Sequence, residues 1–128
     1  MISRPTLDLN AYAPAAADQI NSFHPDIVSE VATTVARDAV VVVGMKTNPV
    51  VKKARRALTA AGIEHTVLEY GSYTSKWKQR LAIKMWSGWP TFPQVFVKGV
   101  LIGGGRETEA AVQSGDLKRW LEQGPPRA

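Results

Sequence analysis

The chain has no cysteine among its 128 residues. That absence removes disulfides, thiolate catalysis and cysteine-held metal sites together. Histidine is nearly as scarce, with His24 and His65 the only imidazoles. Long apolar runs are missing as well. The longest, AVVVVG at residues 39–44, falls far short of the roughly 20 apolar residues that cross a bilayer as a helix, so no membrane partner is expected. The first segment, MISRPTLDLNAYAPAAADQI, holds one early arginine and no uninterrupted apolar block behind it. It does not read as a secretory signal, and a cytoplasmic location is the default expectation. There is no internal repeat and no low-complexity stretch beyond the alanine-rich start.

What is present is the composition of an ordinary globular domain, 45% hydrophobic and 21% charged. The length fits one domain with one core. A net charge of +5 permits anionic partners without naming one. Lys52, Lys53, Arg55 and Arg56 form the densest basic cluster, but no aromatic residue is interleaved among them. They therefore read as a solvated helix face, and nucleic acid is not an expected partner.

Residues 1–22 mix alanine, proline and asparagine without a period and read as a poorly ordered arm or an added piece packed on the surface. The domain proper is expected over 23–124. In HPDIVSEVATTVAR, 24–37, Ile27, Val31 and Val35 recur at helical spacing behind a proline and an aspartate. DAVVVVG then supplies the β-branched run of a strand buried on both faces. Asn48 is a favourable helix N-cap and Pro49 suits the first helical position. Behind them, Val50, Ala54, Ala57, Leu58 and Ala61 predict an apolar face, and Gly62 is placed to stop the helix. IEHTVLEY, 63–70, reads as a second strand that completes a strand, helix, strand unit. In KWKQRLAIKMWSG, Trp77, Leu81 and Met85 predict the inward stripe of another helix, ended by Gly88 and Pro90. PQVFVKGVLIGGG has the signature of a hairpin turning at Lys98 and Gly99. One or two short helices follow, then a PPRA tail, 125–128, that cannot continue them. The order predicts a small α/β sandwich, a central mixed four-stranded sheet with helices on both faces.

From residue 27 to about 122 this order, and above all RLAIKMWSGWPTFPQVFVKGVLIGG, resembles the glutaredoxins of the thioredoxin-like fold. Within them it is most similar to the monothiol branch. The shared pattern is an arginine and a lysine before Ser-x-Trp-Pro-Thr-x-Pro-Gln, then a hairpin with Lys-Gly at its turn and a Gly-Gly pair. The resemblance implies a cis peptide bond before Pro93, with the Phe92 backbone offered to the cysteine part of glutathione. It also implies that Lys46 and Arg80 face the glycine carboxylate, with Gly104 and Gly105 in the glycine turn of the same groove. Glutathione is thus the implied cofactor, and glutathione or a protein the implied partner.

Two departures from the family pattern bear on function. Only Thr47 and Asn48 stand between Lys46 and Pro49, where monothiol members insert a loop before their cysteine. Laid on the dithiol pattern, Asn48 takes the nucleophile position and Val51 the second cysteine position; otherwise the nucleophile is deleted. Both alignments remove the thiol, and Asn48 is no nucleophile, so thiol–disulfide exchange is excluded. The cluster of monothiol members, which needs one protein cysteine per protomer, loses half its ligands, and no metal is expected. The second departure is Arg106 at the position where the family carries an aspartate near the γ-glutamyl ammonium, with Glu107 beside it. Free N–H groups at residues 49–52, flanked by Lys46 and Arg80, are expected to cradle a carboxylate; the competing reading has Asn48 merely capping a helix and Lys46 solvated. His65 reads as a surface or edge histidine, and Trp86 and Trp89 as core or groove walls. The sequence therefore predicts a binding or regulatory module without catalysis. The alternative is a redox or iron–sulfur protein acting through glutathione or unconventional ligands.

Overall fold

The computed structural model describes residues 2–128. The domain is built on a four-stranded sheet of order β2-β1-β3-β4, with β1 Val40–Gly44, β2 Thr66–Glu69, β3 Gln94–Val97 and β4 Val100–Gly103. β1 runs parallel to β2 and antiparallel to β3, and β3 is antiparallel to β4. Every residue of β1 is buried, as four consecutive valines require if neither face of the strand meets water. The helices α2 (Pro25–Arg37) and α4 (Trp77–Ser87) pack together as one layer, and α3 (Pro49–Ala60) and α5 (Gly105–Ser114) as the other. The last helix, α6 (Asp116–Gln123), is split from α5 at Gly115, whose φ of 83° ends one helix and starts the next. Val31, Val41, Val42, Leu58, Ile83, Val95, Val97 and Leu117 are sealed between the layers. No helix among the described residues is long and apolar enough to cross a membrane.

Local chemistry accounts for the joints. Gly62 closes α3 with φ 71°; its N–H donates to Thr59 O and that of Ile63 to Leu58 O, at 3.0 and 2.9 Å, the paired bonds of a Schellman end. Lys98 and Gly99 form the two-residue hairpin turn between β3 and β4, both at positive φ, as a turn matched to strand twist demands.

Three expectations change. The 63–70 run is a strand only over Thr66–Glu69, while Ile63 and Tyr70 at its ends are buried by packing. In α3 the inward residues are Val51, Ala54 and Leu58, and Val50 is left half-exposed. Gly44 explains the shift, since a Cβ there would lie 2.8 Å from both Val51 methyls: the end of β1 is cleared so that Val51 can sit on it. In α4 the stripe read as inward, Trp77, Leu81 and Met85, faces out, and Arg80, Ala82 and Ile83 face in. Within the segment read as an arm, Pro14–Asn21 forms a helix, α1. Its side chains and those of Leu9 and Tyr12 border a cleft shared with Met85 and Trp86 of α4.

A side-chain bond ties α2 to the end of the parallel unit. The Tyr70 hydroxyl donates to Glu30 Oε1 at 2.7 Å. Burial, followed by the carboxylate, raises the phenol above its ordinary value near 10. The folded chain thus keeps this proton where the unfolded chain loses it, so the contribution is complete below about pH 10 and is lost as pH rises further. Tyr70→Phe is expected to cost about 1–1.5 kcal/mol at neutral pH and to flatten the alkaline side of the stability profile, measured by urea unfolding at several pH values. An unchanged alkaline slope would assign that pH dependence to other groups.

Candidate functional site

Three segments meet at one end of the sheet. The first is the turn from β1 into α3. The Lys46 N–H donates to Gly71 O at 2.8 Å, which leaves its side chain exposed at the rim. Thr47 takes a left-handed conformation, φ 63°, and aims the chain into the helix. Asn48 then caps α3: its Oδ1 accepts from the N–H groups of Val50 and Val51 at 2.9 and 3.1 Å. Its backbone carbonyl accepts from Lys52 at 3.1 Å, and Pro49 has no N–H to give. Every donor from 49 to 52 is thereby engaged within the chain. The carboxylate cradle expected at these positions is closed by the cap that marks the helix start.

The second segment is the loop before β3. The Phe92–Pro93 bond is cis, as the resemblance implies. The ladder with β1 ends at Gln94, opposite Val43, so Phe92 lies beyond it. Among the described residues, nothing bonds its backbone N–H or C=O. The Phe92 ring is buried, with Lys84 Nζ 5.6 Å from its centre.

The third segment is the glycine turn from β4 into α5. A Cβ on Gly105 would lie 2.5 Å from Val50 Cγ1, and one on Gly104 would lie 3.2 Å from Pro93 O and 3.4 Å from Trp89 Nε1. These two glycines let the turn close on both other segments. Asn48, Phe92, Pro93, Gly104 and Gly105 are accordingly brought together, with Lys46 at the rim.

Arg80 does not join them through its charge. It is buried, 7% exposed, and its Nη1 donates to the carbonyls of Tyr70 at 2.9 Å and of Ser75. Through Nη1 the guanidinium holds the 70–75 loop to α4. Arg106 is exposed, and Glu107, the neighbour that could offset it, has turned back to accept from the Gly104 N–H at 2.9 Å. The carboxylate beside Arg106 thus caps α5.

Other residues singled out in the sequence lie outside this cluster. His65 stands beside the edge strand β2, its Nδ1 3.0 Å from Ile63 O. Lys53 pairs with Glu109 at 3.7 Å and Arg55 with Glu69 at 2.7 Å, so half of the basic cluster on α3 is neutralised locally. Trp86 packs against Phe96, centroids 5.6 Å apart. Trp89, read as a core or groove wall, lines the glycine turn, and sequence reasoning missed Val50 as a wall of the site. The signal for Val50 was its place directly after Pro49 at the helix start, opposite a Gly-Gly pair, a position that periodicity alone assigns to the core. No group of three or more His, Cys, Asp or Glu side chains able to hold a metal occurs among the described residues.

The chemistry of the cluster follows from Asn48. A thiolate at a helix N-cap is stabilised by the first-turn N–H groups, which lower its pKa. Here a neutral amide oxygen takes those two hydrogen bonds, so the helix start is satisfied without charge and without a nucleophile. The glutaredoxin family model matches residues 40–102, the stretch that contributes all three segments except the last glycines. A glutaredoxin-like protein of Dictyostelium discoideum is 49% identical over 98 residues, covering 77% of this chain and 80% of that one. The chain belongs to the glutaredoxin family. Its likeness to monothiol glutaredoxins is local: a probable monothiol glutaredoxin 2 of Rickettsia prowazekii is 42% identical over 40 residues, 31% of this chain and 37% of that protein. The crystal structure of oxidized glutaredoxin 2 from Chlamydomonas reinhardtii superposes with a TM-score of 0.67 at 28% identity, over 78% of this chain and 94% of that one. As a glutaredoxin this chain keeps the scaffold of the groove and lacks the atom that the family's exchange chemistry turns on.

Proposed function

We propose that this glutaredoxin acts as a binding or regulatory module whose groove takes a short extended chain, glutathione being the smallest candidate and a segment of a partner protein the larger one. It does so without thiol–disulfide exchange. The observation that carries the reading is the Asn48 cap: with Oδ1 accepting from both Val50 and Val51, the helix start is satisfied and unreactive. The backbone of Phe92, unbonded within the chain, supports the binding half. An extended ligand can pair with it as a strand pairs with a sheet edge. Lys46 at the rim supplies the cation for a ligand carboxylate. Weak affinity follows, since Arg80 is engaged elsewhere, Glu107 is turned away and Arg106 opposes an ammonium.

Calorimetry with reduced glutathione tests this. The expected result is binding in the millimolar range, weakened several-fold in Lys46→Ala, a change at an exposed residue that leaves the fold alone. An absence of heat at millimolar ligand would remove glutathione and leave the partner segment. Affinity unaltered by Lys46→Ala would place the ligand somewhere other than this groove.

A further inference from the structure

The outward stripe of α4 is the least explained surface of the molecule. Trp77, Leu81 and Met85 are spaced four residues apart, and each is 39–59% exposed. They lie on the side of α4 opposite the buried Arg80, Ala82 and Ile83. At Met85 the stripe runs into the cleft of about 550 Å³ between α4 and the N-terminal segment, where Leu9, Tyr12 and Ile20 face Met85 and Trp86. Soluble domains do not ordinarily leave so continuous an apolar track open to water.

The charge around this track is one-sided. Between residues 71 and 106 the chain has six basic residues and no acidic one, while the remainder has ten basic and eleven acidic. The whole net positive charge therefore belongs to the segment that carries α4. Lys78 and Lys84 project to either side of the stripe, one and three positions from its members, and Lys76 stands at the N-terminal end of the helix. Lys78 Nζ sits 5.6 Å from the Trp77 ring centre, which joins the charge to the apolar surface. Neither acidic residue of the arm and α1, Asp8 or Asp18, lines the cleft.

We propose that this face docks an amphipathic helix of a partner protein whose apolar ridge is bordered by carboxylates. A helical ridge with anchors at i, i+4 and i+7 is nearly as long as the stripe, whose own members stand at i, i+4 and i+8, and can enter a concave cleft. A flat bilayer would leave that cleft empty beneath it. A second copy of the chain would set the same lysines against each other. Methionine at the junction of stripe and cleft adapts to the incoming side chains. The surface shares with the groove around Asn48 only Lys84, whose Nζ lies over Phe92, and the positions altered in the test, Lys78, Leu81 and Met85, belong to the surface alone.

The test uses the full chain and a fluorescein-labelled helical peptide of about five turns, with leucines at i, i+4 and i+7 and glutamates on both flanks. A control peptide carries lysine in place of each glutamate. Fluorescence anisotropy is expected to show saturable binding of the acidic peptide, at least about tenfold tighter than the control and weakened by salt. Met85→Glu should lower the affinity about tenfold or more. Lys78→Glu should weaken the acidic peptide and strengthen the lysine control. Both positions are exposed, and thermal melting checks that the variants stay folded. Four results would each overturn the proposal: no binding, equal binding of the two peptides, capture by phosphatidylserine vesicles in place of the peptide, or a dimer in sedimentation that Leu81→Glu dissolves.

Discussion

Asn48→Cys is expected to give this protein a thiol far more reactive than an ordinary cysteine. The amide oxygen now accepts from Val50 and Val51 at 2.9 and 3.1 Å, and a sulfur in the same place receives those two donors. Hydrogen bonds to the charged form and the positive end of α3 both favour thiolate over thiol. The pKa should therefore fall well below the ordinary thiol value, enough for about tenfold more thiolate at pH 7 than in free cysteine. Alkylation by iodoacetamide as a function of pH reads this directly, with the same variant unfolded in urea as its own reference. Asn48→Ser is the control that keeps a cap without a nucleophile. Coincident titration in the folded and unfolded variant would mean that the start of α3 does not stabilise a thiolate, and that more than one residue separates it from a reactive helix start.

The second large effect concerns Arg80. Its guanidinium, 7% exposed, donates to the Tyr70 and Ser75 carbonyls, and hydrogen bonds from charged groups contribute about 1.5–3 kcal/mol each in comparable settings. Some of that is regained by water entering a surface loop. Arg80→Ala is accordingly expected to cost about 2–4 kcal/mol in chemical denaturation and to speed tryptic cleavage at Lys76, next to the released loop. Arg80→Met keeps the aliphatic packing and loses the donors, so it should retain most of the loss. If Arg80 instead served a ligand carboxylate, both variants would unfold like the parent and lose glutathione binding.

These two residues show where the sequence is readable and where it is not. Secondary structure followed from local chemistry: Pro49 and Gly62 bracket α3, Lys98 and Gly99 make the hairpin turn, and four valines mark the central strand. The grouping of Asn48, Phe92, Pro93, Gly104 and Gly105 followed from the family pattern and is present in the fold. Where the geometry departs from the expected site the cause is shared, the commitment of a polar group to one partner out of several. Asn48 was recognised both as a cap and as part of an anion site, yet a cap consumes the N–H groups an anion would need. Arg80 and Glu107 have the right type for a ligand site, but each had a nearer backbone partner that sequence spacing does not display.

The stripe of α4 was misread for a different reason. Trp77, Leu81 and Met85 are the most apolar residues at helical spacing, so periodicity assigns them inward. The fold instead buries the small Ala82, together with Ile83 and Arg80, because the close contact of α4 with α2 and the tether to the Tyr70 loop fix the rotation of the helix. Hydrophobicity alone does not choose between a core and a docking face. The alanine-rich arm posed the same ambiguity: α1 forms there and borders the cleft it shares with Met85 and Trp86.

The most direct test of the account is the turnover of a glutathione mixed disulfide by the pure, unaltered chain in the presence of reduced glutathione, glutathione reductase and NADPH. NADPH consumption should stay at the rate of the buffer alone, since Asn48 offers an amide where exchange needs sulfur. A rate that rises in proportion to protein concentration would contradict it.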